Sequence, residues 1–172
     1  MKTVRLTALA FLCIASLGAG PGIAPGIAEE PATFASLPGL WAGKGRLGFK
    51  DGKVEAVECR ATYFVSGDKR ELKQTVRCAS GGGKVEVKSV ITYDAGKLTG
   101  TWNETVYNLA GDISGEVTKQ GLKISAKGAD LHADMEVIVK QAKQIIEIHF
   151  DSEVLVGLTL VLDKSSPSAQ AP

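Results

Sequence analysis

The alternation of apolar and polar residues from Trp41 onward is the feature that most constrains the fold of this chain. Residues 41–49 place tryptophan, glycine, leucine or phenylalanine at every second position, with alanine, lysine, arginine and glycine between them. A period of two is that of a β-strand with one face in the core and the other in water. Because no stretch sustains a helical period, the sequence predicts an all-β protein.

Further alternating segments follow at short intervals, with turn residues between them. They read VECRATYFV, ELKQTVRCA, KVEVKSVITY, KLTGTWNETVY, DISGEVT, GLKISAK, ADLHADMEVIV, QIIEIHFDS and VLVGLTLVL. With the first strand this makes about ten strands, and nearly every connection is short enough for a hairpin. Because a large antiparallel sheet tends to curl and remove its edges, we predict a meander that forms a closed or nearly closed barrel.

Residues 1–28 have the features of a secretory signal peptide. The charged start MKTVR precedes the apolar run LTALAFLCIASLGAG, and GIA at 26–28 is a small-x-small cleavage site. The run is too short to cross a bilayer comfortably, and Leu12 before Cys13 disfavours a lipid anchor. We therefore expect the mature chain to begin near Glu29 and to be periplasmic or secreted.

The rest of the chain divides by composition. Residues 29–38 and 165–172 are rich in Pro, Ser and Ala and are expected to be disordered, whereas residues 39–164 form the β-barrel domain. Removing the signal takes away Lys2 and Arg5 and no acid, so the formal charge falls from +1 to −1. A near-neutral domain lacks the basic footprint of a protein that binds nucleic acid.

A barrel that spans an outer membrane needs an apolar belt outside and aromatic girdles at both interfaces. Aromatic residues make up only 6% of this chain, and the faces opposite the predicted core carry Lys, Glu and Arg. The sequence therefore favours a barrel in water over one that spans a membrane. It leaves the oligomeric state open.

Two cysteines, Cys59 and Cys78, lie in neighbouring predicted strands. If Val65 faces Leu72 across the turn between these strands, so that both are buried, the same register places Cys59 opposite Cys78. Disulfides persist in exported proteins, so we predict a Cys59–Cys78 disulfide. Two reduced, buried thiols are the alternative.

Gly43, Gly45 and Gly48 form a G-x-G-x-x-G sequence within GLWAGKGRLG at 39–48. A dinucleotide-binding loop follows a buried strand and opens a helix whose N-terminus faces the pyrophosphate. Here the glycines lie in an alternating strand, which a hairpin loop at 50–52 turns into the next strand. We therefore exclude nucleotide binding and predict that the inward glycines relieve curvature or leave space in the interior.

The tripeptide Gly39-Leu40-Trp41 resembles the Gly-x-Trp signature of lipocalins and the wider calycin superfamily. That resemblance implies a barrel with the tryptophan at its closed end and a cavity for small hydrophobic ligands. About ten strands and no recognisable C-terminal helix depart from the eight-stranded lipocalin plan. The segments GLWAGKG, CRATY, RCAS, GKLTGTWNE and ISGEV also resemble a group of short secreted proteins of alphaproteobacteria, and this second resemblance implies no particular activity.

Inward positions of the predicted strands supply the candidate ligand contacts Trp41, Tyr63, Trp102 and Glu104. The two tryptophans are large enough to fill an end of the barrel, and we expect this structural role for them. A two-residue turn at 95–96 would point Glu104 inward, where it could hydrogen-bond a ligand or lie near a barrel mouth. A slipped register would turn Glu104 outward instead.

Two H-x-D units carry both histidines of the chain. The hairpin register that buries the apolar residues of both strands pairs His132 with Asp151 and Asp134 with His149 on the outer face. Imidazole and carboxylate groups are ligands for zinc, copper and nickel. Cross-strand His–Asp pairs are also ordinary surface contacts, so a metal site and a plain surface patch both stay open.

The sequence gives little support to catalysis. It holds neither a G-x-S-x-G nucleophile elbow nor an H-E-x-x-H metal site, and its two mature cysteines are predicted to pair. We therefore predict no catalytic residue, no cofactor, and a non-enzymatic module that binds a small apolar ligand in its interior. The alternatives are an envelope structural or interaction protein with a filled core, and metal binding at the His/Asp patch.

Overall fold

The computed structural model describes residues 32–67, 70–129 and 131–165. One short helix precedes ten strands in this part of the chain. Their bounds are α1 (Ala32–Ser36), β1 (Gly39–Phe49), β2 (Val54–Val65), β3 (Glu71–Ser80), β4 (Gly83–Asp94), β5 (Lys97–Glu104), β6 (Leu109–Val117), β7 (Gly121–Gly128), β8 (His132–Lys140), β9 (Lys143–Asp151) and β10 (Leu155–Lys164). The strands thus span residues 39–164, the range given to the barrel from the sequence.

Each strand pairs antiparallel with the next one along the chain, and β10 pairs with β1 to close the barrel. The predicted all-β meander is therefore confirmed, and the barrel is closed. The registers derived from burial are also confirmed, because Val65 faces Leu72 and Cys59 faces Cys78. Closure leaves no edge strand open for pairing with another chain.

The hairpins divide between the two ends of the barrel. Those that join β1 to β2, β3 to β4, β5 to β6, β7 to β8 and β9 to β10 share one end, which we call the open end. The other end, which we call the closed end, holds the remaining hairpins and receives α1. Phe34 and Leu37 from this N-terminal segment are buried there, and the ring of Phe34 lies 5.8 Å from that of Tyr93.

Polar contacts fasten the N-terminal segment to the barrel. The indole Nε1 of Trp41 donates to the carbonyl oxygen of Leu37 at 2.7 Å. Lys164, at the end of the last strand, donates from Nζ to the carbonyl oxygen of Ser36 at 2.8 Å. The same ammonium group lies 5.4 Å from the centre of the Trp41 ring, a cation–π contact.

The prediction of a disordered linker over 29–38 is wrong for residues 32–38, the described part of that range. The Pro, Ser and Ala content suggested disorder, but Phe34 and Leu37 are spaced so that one helical turn buries both. The predicted signal peptide at 1–28 lies outside the described residues, as does the predicted tail beyond residue 165. Within the described ranges, no helix has the length and apolar character that crossing a bilayer requires.

The glycines of GLWAGKGRLG lie where the backbones of β1 and β10 approach closely. A Cβ atom added at Gly43 would run into the carbonyl oxygen of Val161, and one at Gly45 would run into that of Thr159. Of the two roles predicted for these glycines, relief of curvature is therefore the one that the packing favours. The strand passes through a turn directly into β2, an arrangement with no place for a phosphate-binding helix.

Candidate ligand-binding interior

The inward side chains are packed tightly at the closed end. Each of the following is no more than 1% exposed: Phe34, Leu37, Trp41, Leu72, Ile91, Leu98, Gln144 and Leu162. Towards the open end, inward apolar side chains are only partly buried: Leu47, Leu109, Leu131, Met135, Ile148 and Leu158. The side chains that are almost fully buried thus concentrate in the closed half, although Val65, Tyr93, Val117 and Val139 beside its hairpins are partly buried. Apolar surface that solvent reaches lines the open half.

Exposed apolar side chains also surround the open end. Val54, Val106, Tyr107 and Val154 lie in or beside its hairpins and are 46–61% exposed. Exposed apolar groups that cluster at one place on a soluble domain commonly mark a ligand entrance or a contact surface. The open end therefore joins an apolar rim to a partly accessible apolar interior.

Tyr63 and Gln144 form a polar pair deep in the closed half. The Tyr63 hydroxyl donates to Oε1 of Gln144 at 3.1 Å, and the Tyr63 ring meets the Trp41 ring edge-on at 6.4 Å between centres. Burial raises the pKa of the Tyr63 hydroxyl far above its usual value, and the bond to Gln144 offsets only part of this. Tyr63 and Trp41 are thus packing groups of the closed end, the role expected for Trp41.

Trp102 lies on the inner wall two residues before the end of β5, in the open half, where its indole leans over Gly128. A Cβ atom added at Gly128 would lie 3.0 Å from Cζ2 of Trp102, so glycine leaves room for the ring. Ser89 faces Trp102 directly across the β4–β5 pair. Because the indole leans the other way, towards β7, neither Nε1 of Trp102 nor Oγ of Ser89 has a hydrogen-bond partner among the described residues.

Ser89 and Gln144 were not identified as site residues from the sequence. Both occupy inward positions of strands whose other inward residues are apolar, in KVEVKSVITY and KQIIEIHF. The Nε2 atom of Gln144 is a third buried polar atom without a partner in the described part of the chain. A polar residue on an otherwise apolar strand face was the available signal.

Glu104 points inward, as one of the two registers considered for it predicts, but it does not offer its carboxylate to the interior. Oε1 accepts the backbone N–H groups of Glu86 at 3.0 Å and Val106 at 2.8 Å, and Oε2 accepts that of Tyr107 at 2.6 Å. These bonds give Glu104 a structural role, and its contact with a ligand stays a prediction. Glu104 fixes the hairpin between β5 and β6, which is part of the open end.

The same bonds determine how Glu104 titrates. Burial alone would raise the pKa of this carboxyl, but the N–H groups of Tyr107, Val106 and Glu86 favour the charged form and lower the pKa below 4.5. The folded protein therefore binds a proton at Glu104 less readily than the unfolded chain does. The resulting stability is fully present above pH 4.5 and is lost as the pH falls through the lower folded-state pKa.

We expect Glu104→Gln to lower the free energy of unfolding at pH 7 by about 2 kcal/mol, because charge-assisted bonds to backbone N–H groups are lost. Below pH 4.5 the difference between variant and wild type should shrink, since the wild type then protonates Glu104. Urea unfolding at pH 7, 5, 4 and 3 measures both effects.

Glu58→Gln is the matched control for this experiment. Glu58 also has a lowered pKa, through its hydrogen bond and ion pair with Lys44 at 2.7 Å, but its side chain is 71% exposed. Exposed pairs contribute little to stability, so this variant should unfold almost as the wild type does. Equal losses in the two variants would contradict the role given to Glu104.

The His/Asp patch has the predicted register but not the geometry of a metal site. His132 faces Asp151 and Asp134 faces His149 on the outer face. Nε2 of His132 turns to the other side, 3.2 Å from Oγ of Ser125 on β7, and lies 3.8 Å from Oδ1 of Asp134. Across the described ranges, no three His, Cys, Asp or Glu side chains come together in a way that could hold a metal ion. This arrangement of side chains does not support the metal-site alternative, which stays a prediction.

Two depressions lie on the outer face of the barrel. One, of about 510 Å³, is lined in part by Ser125, Asp134 and His149. The other, of about 780 Å³, lies over β1–β4. Four of its charged groups are paired, in the contacts of 2.6 Å between Arg77 and Glu86 and of 2.7 Å between Lys44 and Glu58. Charges that already compensate one another are a weaker sign of a ligand site than the unpaired groups inside.

Cys59 and Cys78 form the predicted disulfide on the inner wall of the barrel. They are directly opposed residues of the β2–β3 pair, and Gly43 lies opposite Cys59 on the other side. Cys59 is almost fully buried and Cys78 is half-buried. The bridge joins the middle of β2 to the part of β3 that lies near the open end.

No protein-family model and no curated protein sequence matches the chain. Solved structures do match it, among them Rv2717c from M. tuberculosis, with a TM-score of 0.67 and 14% identity over 81% of this chain and 99% of that one. The S-type phycobiliprotein lyase CPES from Guillardia theta matches with a TM-score of 0.59 and 10% identity, over 77% of this chain and 90% of that one. At such identities the likeness shows a shared fold.

These likenesses identify the class of fold as a lipocalin-like barrel with ten strands. The barrel that the resemblance of Gly39-Leu40-Trp41 implies is therefore confirmed at the level of the fold, with Trp41 at the closed end. The resemblance to secreted proteins of alphaproteobacteria stays a prediction.

Proposed function

We propose that this protein is an exported binding module that holds a small hydrophobic molecule in the open half of its barrel. The observation that carries the proposal is the gradient of burial inside the barrel. Inward apolar side chains such as Met135 and Ile148 stay partly exposed near the open end, although they are as apolar as the filled core below them. Apolar surface that water reaches inside a barrel gains free energy when an apolar molecule covers it.

The proposed role is non-enzymatic. The histidines are on the outer face, away from the interior. Of the inward carboxylates among the described residues, Glu104 is bonded to backbone N–H groups, and Glu55 contacts Lys53 at 2.6 Å and Ser80 at 2.8 Å. Carboxylates held in this way are poor general bases. The S-type phycobiliprotein lyase carries an enzyme name on the same fold, and a fold alone does not decide activity.

The proposed location outside the cytoplasm is supported by two observations. The disulfide is of a kind that persists in oxidising compartments. Residues 1–28 have the pattern of a secretory signal. Mass spectrometry of the protein from its own envelope fraction tests this, since a mature N-terminus near Glu29 is expected.

An envelope protein with a filled core is the second candidate, and the packing of the closed half favours it. Trp41, Phe34 and Leu37 are at most 1% exposed and fill the middle of that end. Such a protein would use the apolar rim, with Val54, Val106 and Tyr107, to contact other envelope components. The two candidates differ in whether the open half takes up a small molecule.

Titration with the apolar fluorophore N-phenyl-1-naphthylamine distinguishes the candidates. We expect saturable binding in the micromolar range, with fluorescence that rises because the dye enters an apolar site. Ile148→Trp adds a large side chain inside the open half and should weaken dye binding at least tenfold. Val161→Trp adds the same side chain at a position that is 40% exposed on the outer face, and it should bind the dye as the wild type does.

Circular dichroism verifies that both variants keep the barrel. Equal dye affinity in the two tryptophan variants would place the dye outside the interior. No saturable binding by the wild type, together with no small molecule retained in native mass spectrometry, would favour the filled-core candidate.

A further inference from the structure

We infer that the molecule bound in the interior is neutral and apolar and carries a hydrogen-bond acceptor, such as the carbonyl group of a ketone or ester, which lies at the level of Ser89 and Trp102. The inference rests on the proposed function, because it names the class of ligand for the same interior.

The first argument is the set of unpaired polar atoms. Ser89 and Trp102 are 5% and 7% exposed, they face each other across neighbouring strands, and Oγ of Ser89 and Nε1 of Trp102 lack partners among the described residues. Buried polar groups in folded proteins are nearly always hydrogen-bonded, so two at one level indicate a place for a polar group from outside the chain.

The chemistry of the two groups gives the kind of atom that fits. An indole N–H can only donate, and a serine hydroxyl donates through a proton that rotates to suit its partner. A carbonyl oxygen only accepts, so it is a suitable partner for either donor. A hydrogen bond of this kind is also strengthened by its dry surroundings.

Gln144 does not provide a comparable subsite. Its Nε2 atom is likewise unpaired, but the side chain is 0% exposed and is held by Tyr63 in the packed closed half. A ligand that enters from the open end reaches the level of Ser89 and Trp102 first. The polar head group of the ligand, its carbonyl group, therefore lies at the level of Ser89 and Trp102 and does not reach the Tyr63–Gln144 pair.

The charges of the interior exclude an anionic head group. Among the described inward positions, the charged residues are Glu55 and Glu104 near the open end and Lys164 at the closed end. The ammonium group of Lys164 is engaged by the carbonyl oxygen of Ser36 and the ring of Trp41. A ligand carboxylate would thus be buried without a cation, below two acids, which is strongly unfavourable.

The test compares three small molecules with the same chain length, each as a competitor of N-phenyl-1-naphthylamine: 2-decanone, decanoate and decane. We expect 2-decanone to displace the dye at a concentration at least tenfold lower than decanoate does. Trp102→Phe, which keeps an aromatic ring but removes the N–H, should weaken 2-decanone five- to tenfold and leave decane unchanged. Ser89→Ala should act in the same direction.

Ser114→Ala is the matched control for Ser89→Ala, because Ser114 is exposed on the outer face of β6, and it should have no effect. Equal binding of the three competitors, or unchanged 2-decanone binding in both Trp102→Phe and Ser89→Ala, would overturn the head-group inference and leave interior binding standing. Tighter binding of decanoate would overturn it as well. Failure of the dye itself to bind would instead overturn the proposed function on which the inference rests.

Discussion

Trp41→Ala is expected to lower the free energy of unfolding by about 4 kcal/mol, the range found when a fully buried tryptophan or phenylalanine is truncated. Trp41 is 0% exposed and contacts three parts of the closed end. Its ring meets the ring of Tyr63, its N–H bonds to Leu37, and the ammonium group of Lys164 lies over it. For a domain of this size the loss corresponds to a fall in the melting temperature of roughly 10–20 °C.

Thermal and urea unfolding measure this effect, and Phe64→Ala is the control. Phe64 is also a large aromatic residue in the first hairpin, but it is 62% exposed on the outer face. Its truncation should change stability by less than about 0.5 kcal/mol. A loss in Trp41→Ala as small as that would show that the closed end does not depend on its tryptophan.

A second consequence of Trp41→Ala concerns the N-terminal segment. The bond from Nε1 of Trp41 to the carbonyl oxygen of Leu37 fixes the chain just after α1, so its loss should loosen residues 32–38 before the barrel unfolds. Limited proteolysis should then cleave this segment in the variant at a temperature where the wild type resists. Cleavage at the same rate in both proteins would contradict the fastening role of Trp41.

The strands and their registers could be predicted because they follow from a local pattern. The period of two decides which residues face inward, and a shift by one residue would expose the whole apolar face. Val65 opposite Leu72 then fixes the β2–β3 register, and the positions of the two thiols follow from it. The same reasoning placed His132 opposite Asp151.

Features that depend on single side chains could not be predicted in this way. The helix α1 has only five residues, too few for a periodic signal. The strand pattern allows the inward register of Glu104 to be predicted. Its hydrogen bonds cannot be predicted in the same way, because they depend on the backbone path of the hairpin that follows, where Asn108 has a φ of 58°. The direction of the His132 ring, towards Ser125 rather than Asp151, is a choice of rotamer that no spacing reveals.

The lack of partners for Ser89 and Trp102 is a tertiary property as well. Spacing shows that both point inward, but the tilt of the indole over Gly128 decides that they do not bond to each other. Residues that break a local rule, such as a serine on an apolar strand face, are expected to concentrate at functional or strained sites. By this expectation, the unpaired atoms of Ser89 and Trp102 are a more direct argument for the proposed ligand binding than the tripeptide Gly39-Leu40-Trp41 is.

Removing the disulfide is expected to have the second large effect. Cys59 and Cys78 are separated by 19 positions, and closing a loop of that size contributes about 3 kcal/mol in the chain-entropy model. The double variant Cys59→Ala/Cys78→Ala should therefore unfold at a markedly lower urea concentration than the wild type. The loss arises mainly in the unfolded chain, so the barrel itself should remain folded at 25 °C.

Reductant supplies the internal control for this prediction. Under urea, reductant should lower the unfolding midpoint of the wild type and leave the double variant unchanged, because the variant has no bridge between β2 and β3 to lose. Thiol labelling of the denatured, unreduced protein should find neither Cys59 nor Cys78 free. Two labelled thiols at these positions, or a wild type that is indifferent to reductant, would show that the strands are held by pairing and packing alone.

The position of the bridge on the inner wall adds one further expectation. Because Cys59 and Cys78 face the interior, their loss should also loosen the wall around the bound dye and weaken the affinity for the dye.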